Sequence, residues 1–413
     1  MAVARQARRQ LATAVQVLEV RLGETVVGTL ARLENDATIF AFDPAYVADI
    51  NRPTLSLGFK GRDGNLVENI RPTRVRLPPF FSNLLPEGHL RQYLAAQGGI
   101  HPEREFFLLW LLGADLPGAV EVNAIDGALP PRDNGQDQGD HGRDRPLRFS
   151  LAGVQLKFSA IMETDGGLTL PIGGVGGDWI AKLPSRRFEA VPETEYAMMT
   201  LAAAVGIDVP EVRLVPTSEI GNLPDNLPEA FGQTLAIRRF DRTETGKRIH
   251  IEDFAQVFNL YPADKYGKAS YGNIAEVLWA ETGEAGAVEF VRRLVFSALI
   301  GNGDAHLKNW SLIYPDGRTT HLAPAYDLVG TIAYMPDEHF ALSFAGTKSF
   351  IEIDVDHFRK FAEKAGLPVR AVLKTATETA QAVRDHWPTH EPLRMVPEKI
   401  RQAIESHMKT VPL

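Results

Sequence analysis

The run Val17 to Leu22 alternates apolar and polar positions, and Thr25 to Arg32 follows it across Gly23 and Glu24. A period of two puts successive side chains on opposite faces, so the two runs are expected to form a β-hairpin. Helical patterns follow from Phe80 onward, and this first α/β unit is expected to end near Ile125. Strand-like runs then dominate: Phe158 to Met162, Leu168 to Pro171, Trp179 to Leu183, Val212 to Pro216 and Leu235 to Phe240, with Gly166 and Gly167 marking a hairpin turn. One helix interrupts them, from about Pro192 to Val205, with Pro near its start and Gly206 placed to stop it. From Ile251 the pattern is mainly helical, over Ile274 to Thr282, Ala287 to Ile300, His357 to Ala365, Arg370 to His386 and Pro397 to Lys409. No internal repeat is visible.

Between Pro130 and Pro146 the chain reads PPRDNGQDQGDHGRDRP, with no large apolar side chain. Such a composition cannot bury enough surface to order itself and is expected to be a linker. The expected division is an N-terminal subdomain over 1–129, the linker over 130–146, a β-rich lobe over 147–245 and a mainly helical lobe over 246–413.

Composition narrows the class. Of 413 residues, 44% are apolar and 23% charged, the mixture of a globular protein with room for two or three domains. The net charge of -8 lacks the basic surplus that drives nonspecific nucleic-acid binding, so contact with DNA is expected to be local or through a partner. The absence of cysteine excludes disulfides and thiolate metal sites and suits a reducing compartment. Arg5, Arg8 and Arg9 precede a stretch interrupted by Thr13, Gln16 and Glu19, which is unlike a signal peptide. No run approaches the roughly 18 apolar residues that span a bilayer, so a cytoplasmic protein without a membrane segment is expected.

Candidate chemistry gathers in NGDAHLKNWSLIY, Asn302 to Tyr314, where Asp304 and Asn309 stand in an Asp-x4-Asn spacing. Phosphoryl transfer needs a carboxylate to orient the attacking hydroxyl and oxygen ligands to hold Mg2+ on the phosphates; Asp304 suits the first task and Asn309 the second. The strand Trp310 to Tyr314 is expected to turn at Pro315, Asp316 and Gly317 and return through Thr319 to Leu322, bringing Asp327 of AYDLVG beside that loop as a second metal ligand. Lys182, inside the strand Trp179 to Leu183, can reach phosphates, with either Glu195 or Glu193 on the following helix holding its ammonium. In FSLAGVQLKFS, Phe149 to Ser159, backbone amides around Ala152, Gly153 and Val154 can approach phosphate with Lys157 as a nearby point charge, although neither GxGxxG nor a Walker motif occurs.

In order, SLAGVQLKFS, WIAKLP, TEYAMMTLAAAVGIDVP, RRFDR, IEDFAQ, NGDAHLKNWS and AYDLVG resemble the HipA family of Ser/Thr kinases, toxins of bacterial toxin and antitoxin pairs. FFSNLLPEG, Phe80 to Gly88, resembles that family's N-terminal subdomain, so the resemblance covers nearly the whole chain. It implies an α+β, two-lobed protein-kinase-like fold with an extra N-terminal α/β subdomain, and ATP with Mg2+ as cofactors. It assigns Asp304 to activation of the substrate hydroxyl, Asn309 and Asp327 to the metal, Lys182 to phosphate and Ser150 to autophosphorylation. His306 and Lys308 fill the family's H-x-K-N pattern, which implies phosphate contact by one of them. The family also implies a small helix-turn-helix antitoxin of the HipB kind, operator DNA bound mainly through that antitoxin, and an aminoacyl-tRNA synthetase as a substrate class.

Plainer readings stand beside these. His306 can equally be a packed or capping side chain. Arg239, Asp241 and Arg242 read as an ion-pair cluster bracing the lobes, and the backbone of Ile237 to Phe240, including Arg239 and Phe240, can also form the adenine-side hinge. Glu252 and Asp253 read as a helix-entry or lobe-bracing pair. Two rival functions remain: a small-molecule phosphotransferase, which also uses a GDxxxxN-like loop, and a kinase-shaped corepressor or scaffold without turnover.

Overall fold

The computed structural model describes residues 15–61, 63–127, 157–163, 167–171, 176–185, 187–223 and 232–413. The expected linker 130–146, Ser150 and the loop residues Ala152, Gly153 and Val154 lie outside them.

Strands β1 (Val17–Leu22) and β2 (Thr25–Arg32) pair antiparallel across Gly23 and Glu24, as the alternation predicts. Leu18, Val20 and Leu22 are buried, and the residues between them are partly exposed. The unit continues through β3 (Ala37–Phe42), α1 (Pro44–Ala48), β4 (Thr73–Arg74), α2 (Pro79–Asn83), α3 (Gly88–Gln97), α4 (Glu105–Leu112) and β5 (Val120–Ala124). Its sheet has the order β4-β3-β2-β1-β5. Helix α4, EFFLLWLL, is apolar all round after its first residue and is buried all round, the arrangement that pattern requires. Trp110 is among its largest buried side chains, and truncating it to alanine would cost about 3–5 kcal/mol.

The second sheet is built from β6 (Lys157–Met162), β7 (Leu168–Thr169), β8 (Trp179–Lys182), β9 (Val212–Pro216), β10 (Ile220–Gly221) and β11 (Gln233–Arg238), in the order β10-β7-β6-β8-β11-β9. Helix α5 (Val191–Ala204) crosses between β8 and β9. The helical lobe follows, with β12 (His250–Asp253), α6 (Phe254–Val257), α7 (Tyr271–Ile300), the hairpin β13 (Ser311–Tyr314) and β14 (His321–Leu322), α8 (Val355–Ala365), α9 (Val369–His386) and α10 (Glu398–Thr410). A sheet lobe and a helical lobe with an added N-terminal α/β unit make the two-lobed, kinase-like architecture expected.

The two helices expected at Ile274 to Thr282 and Ala287 to Ile300 are both present within α7, separated by a kink at Gly283 (φ 67°, ψ -154°), a conformation that favours glycine. Ser270 and Asn273 close its first turn as a capping box. Gly301 ends it with φ 67°, and a Cβ there would lie 2.4 Å from Ile332 Cγ2. The chain can therefore turn sharply into Asn302 only with glycine at that position.

Two apolar cores organise these elements. One joins the N-terminal sheet, Phe80, Phe81 and α4 to Phe158, Ala160, Trp179, Ala181 and Ala236 of the second sheet. The other fills the helical lobe and includes Ala197, Met198, Leu201 and Ala202 of α5. The N-terminal unit thus shares its core with the sheet lobe, while α5 packs with the helical lobe.

Candidate active site

Lys182 ends β8, the strand at the middle of the second sheet, where its side chain is 4% exposed. Its Nζ lies 2.5 Å from Glu195 Oε1 on α5, and it also donates to Asp327 Oδ1. Glu195 is 1% exposed, so of the two candidate glutamates it is the one that meets the lysine. Register pairs Lys157 on β6 directly with Lys182, placing a second ammonium beside the same carboxylates.

The charges in this group are mutually set. Burial opposes ionisation of Lys182, but Asp327 and Glu195 hold its pKa above the ordinary value. Burial likewise opposes the Asp327 carboxylate, and Lys182 with Lys157 nevertheless keeps it well below the usual range. Glu195 is pushed up by burial against the pull of Lys182, and Lys157 is pushed down by burial and by Lys182. Lys182 and Lys157 thus stand together with Asp327 and Glu195, two lysines balanced by two carboxylates at one place.

Asp327 does return beside the catalytic loop. Asn302 Nδ2 donates to its carbonyl at 3.3 Å, and Asn302, Asn309 and Asp327 line one small cavity with Arg293, Ser297 and Tyr326. Asp327 has φ 54°, an uncommon backbone state for a residue other than glycine, of the kind that clusters at functional sites.

Asp304 has a half-buried side chain, with Tyr266 Oη donating to its Oδ1 at 2.7 Å and Asn302 Oδ1 accepting from its N–H at 3.1 Å. Burial pushes its carboxyl up, Tyr266 pulls it down and the charge of Asp327 raises it again. Asn309 Nδ2 donates to the Asp304 carbonyl at 2.8 Å, so the amide is oriented with Oδ1 on its other side. Among the described residues no cluster of three or more His, Asp or Glu forms a metal cage. Mg2+ is ordinarily held by one or two carboxylates together with substrate phosphates, and the oxygen donors of Asn309 and Asp327 fit that requirement.

His306 is buried, its Nε2 3.9 Å from Asp304 Oδ1 and its ring edge-on to Tyr266 at 5.0 Å. Burial, reinforced by the charge of Lys265, lowers its pKa to about 3, so the ring is neutral. Among the described residues its Nδ1 is buried without a hydrogen-bond partner.

Two charged residues read as nucleotide contacts are committed elsewhere. Lys308 Nζ donates to Asn83 O at 2.9 Å, Asn83 Oδ1 at 3.0 Å and Asp253 Oδ2 at 2.9 Å. An ammonium has three protons, and all three are used inside the protein. Arg239 is 3% exposed and donates to both oxygens of Asp241 at 2.9 Å and to Asp115 Oδ1 at 3.3 Å. Arg242 joins the same carboxylates, and Asp241 also accepts from the Gly118 N–H at 2.8 Å. The RRFDR cluster therefore ties the N-terminal unit to the chain after β11, and Arg239 is a bracing residue rather than a nucleotide ligand. Phe240 lies beyond β11, its ring 5.8 Å from that of Tyr326 next to Asp327.

Glu252 and Asp253 brace, as their positions suggested. Asp253 caps α6 in a box with Gln256, and Glu252 accepts from Ser56 Oγ at 2.5 Å, Leu57 N–H at 2.9 Å and Tyr314 Oη at 2.5 Å. Asn83, Lys265, Tyr266 and Asn302 escaped the reading of site residues. Asn302 and Asn83 lay in quoted motifs without a role, whereas Tyr266 sits in a loop with no local signal.

Comparison with known proteins accords with this arrangement. The HipA-like C-terminal domain matches residues 149–387, and the HipA N-terminal domain matches 18–123. Y4dM of Sinorhizobium fredii, which bears a kinase name, is 51% identical over 97% of this chain and 98% of its own length. The serine/threonine-protein kinase toxin HipA of Shewanella oneidensis is 24% identical over 89% of this chain and 87% of its own. The solved complex of Shewanella oneidensis HipA, HipB and operator DNA superposes with a TM-score of 0.70 at 21% identity, covering 95% of each chain. With both family domains matched in order and a relative this similar along its full length, the chain belongs to the HipA family.

Proposed function

We propose that this chain is an ATP- and Mg2+-dependent serine/threonine protein kinase, a toxin of the HipA kind. The observation that carries the reading is the buried Lys182, joined at once to Glu195 and Asp327, with the Asp304 and Asn309 loop beside it. Asp304 orients the acceptor hydroxyl and draws its proton toward Oδ1 or Oδ2 as transfer proceeds. Lys182, steadied by Glu195, holds the nucleotide phosphates, and Lys157 adds charge at the same place. Asn309 and Asp327 supply the oxygen ligands for Mg2+, which when bound neutralises the phosphate charge that builds in transfer.

The finer assignments rest on family membership. They are autophosphorylation of Ser150, an aminoacyl-tRNA synthetase as substrate, and silencing by a HipB-like helix-turn-helix antitoxin that carries the operator contact. The net charge of -8 accords with a protein that leaves DNA to a partner. No helix among the described residues is long and apolar enough to cross a membrane.

Transfer from γ-labelled ATP to a cell lysate and, separately, to a metabolite pool tests the reading. Discrete protein bands, lost in Asp304→Asn while nucleotide still binds, are expected. Label in the metabolite pool alone would make the chain a small-molecule phosphotransferase, and no label despite antitoxin binding would make it a scaffold. Intact mass before and after ATP, with peptide mapping, tests Ser150.

A further inference from the structure

Residues Phe80 to Gly88 of the N-terminal unit reach both flanks of the catalytic loop. Their root is firm: Phe80 and Phe81 are buried in the N-terminal core, and Glu105 of α4 accepts from Leu77 N–H at 2.8 Å and Ser82 Oγ at 3.0 Å. The same root already meets the helical lobe, where Gln256 Nε2 donates to Phe80 O at 3.0 Å.

On one flank, Asn83 takes two of the three protons of Lys308, which lies between Asp304 and Asn309 in sequence. The Asn83 Nδ2 donates to Pro79 O and Leu260 O, both at 2.8 Å, which fixes the amide so that Oδ1 faces the ammonium. On the other flank, Glu87 Oε2 pairs with Lys265 Nζ at 2.9 Å. The Lys265 carbonyl accepts from the Leu307 N–H at 3.3 Å, and the next residue, Tyr266, donates to Asp304.

We propose that Asn83 and Glu87 are positioning residues for phosphoryl transfer, through which the N-terminal unit sets the catalytic loop by way of Lys308 on one side and Lys265 with Tyr266 on the other. The proposal rests on the kinase reading above. Neither residue touches the reacting atoms. A buried ammonium holds its place only where acceptors saturate it, and a misplacement of about 1 Å at the reacting group can slow a reaction by about 100-fold. The loop carrying Asp304 and Asn309 is thus clamped by a unit outside the two lobes.

Asn83→Leu alone leaves Lys308 short of an acceptor and will destabilise the chain, so the informative double variant is Asn83→Leu with Lys308→Met, made in a chain that also carries Asp253→Asn; it replaces the polar pair by apolar groups and keeps the cap on α6 without the carboxylate that Lys308 would leave unpaired. Melting temperature, ATP affinity, single-turnover transfer and amide hydrogen exchange over residues 302–310 are measured in this double variant, in Glu87→Gln and in the wild-type chain. The expected result for the double variant is a recovered melting temperature, unchanged ATP affinity, transfer slowed by about 10-fold or more and faster exchange over the loop. Glu87→Gln is expected to slow transfer by about 3- to 10-fold with ATP affinity unchanged. Transfer that recovers together with stability, or loop exchange equal to wild type, overturns the proposal. If the wild-type chain transfers phosphate to nothing, the kinase reading fails by itself, and loop exchange alone then decides whether Asn83 and Glu87 position the loop.

Discussion

Lys182 Nζ lies 2.5 Å from Glu195 Oε1 with both side chains almost wholly out of water. The pair joins the sheet lobe to α5, whose buried face belongs to the helical-lobe core. Glu195→Gln keeps the shape but leaves the ammonium drawn to Asp327 alone. Transfer measured as kcat/KM is expected to fall by about 10- to 100-fold, while Glu193→Gln stays within about 2-fold of wild type. Equal effects of the two substitutions would mean that the pair does not hold the lysine for catalysis.

Tyr266 donates to Asp304 Oδ1 at 2.7 Å from an otherwise exposed side chain. Tyr266→Phe removes the donor and leaves the ring against His306. The expected outcome is a kcat lower by about 3- to 10-fold with ATP affinity unchanged, read by initial rates and nucleotide titration. A rise in kcat would show that the hydroxyl competes with substrate for the carboxylate.

Arg239 is consumed by Asp241 and Asp115 rather than offered to nucleotide. Arg239→Leu leaves two buried carboxylates short of a partner and is expected to cost about 3–5 kcal/mol in denaturant unfolding. Below the unfolding transition its ATP affinity should equal that of the wild type. A selective loss of ATP binding without loss of stability would return Arg239 to the nucleotide site.

Burial raises the pKa of Glu252 to about 7, against hydrogen bonds from Ser56, Tyr314 and Leu57, so the folded protein holds this proton longer than the unfolded chain does. Its stabilising contribution is complete at low pH and is lost as pH rises through about 7. His250, lowered by burial to about 4, acts in the opposite sense but is spent below about 6.5, where its unfolded form titrates. Between pH 6.5 and 8 the wild type should lose about 1 kcal/mol that Glu252→Gln does not lose. Parallel urea titrations across that window check it; identical slopes for the two proteins would contradict the assignment.

Much of the fold was legible in the sequence. The β1 and β2 hairpin appears with the residues that alternation named, and α5, α9 and α10 begin and end within a residue of their expected bounds. The break between the helix ending at Thr282 and the one beginning at Ala287 was legible as well, because Gly283 adopts a backbone state that a helix cannot continue. Spacing and order singled out Asp304, Asn309, Asp327 and Lys182, and the structure brings Lys182 to Asp327 and Asn309 to the Asp304 carbonyl.

The ion-pair cluster of Arg239, Asp241 and Arg242 was legible as a bracing group, whereas Lys308 shows where that legibility stops. A sequence displays a cation, and a cation near phosphate chemistry invites a phosphate role. The energy of a buried charge is decided by its desolvation and by the acceptors that surround it, and those come from Asn83, Asp253, Asp115 and Asp241, brought together only by packing. Periodicity and motif spacing are local, so the sequence alone determined the elements, their order and the chemical kind of the site. Which charges face the site and which brace it, and the hold of the N-terminal unit on the catalytic loop, were decided by tertiary structure, because partners distant along the chain set the energy of every group removed from water.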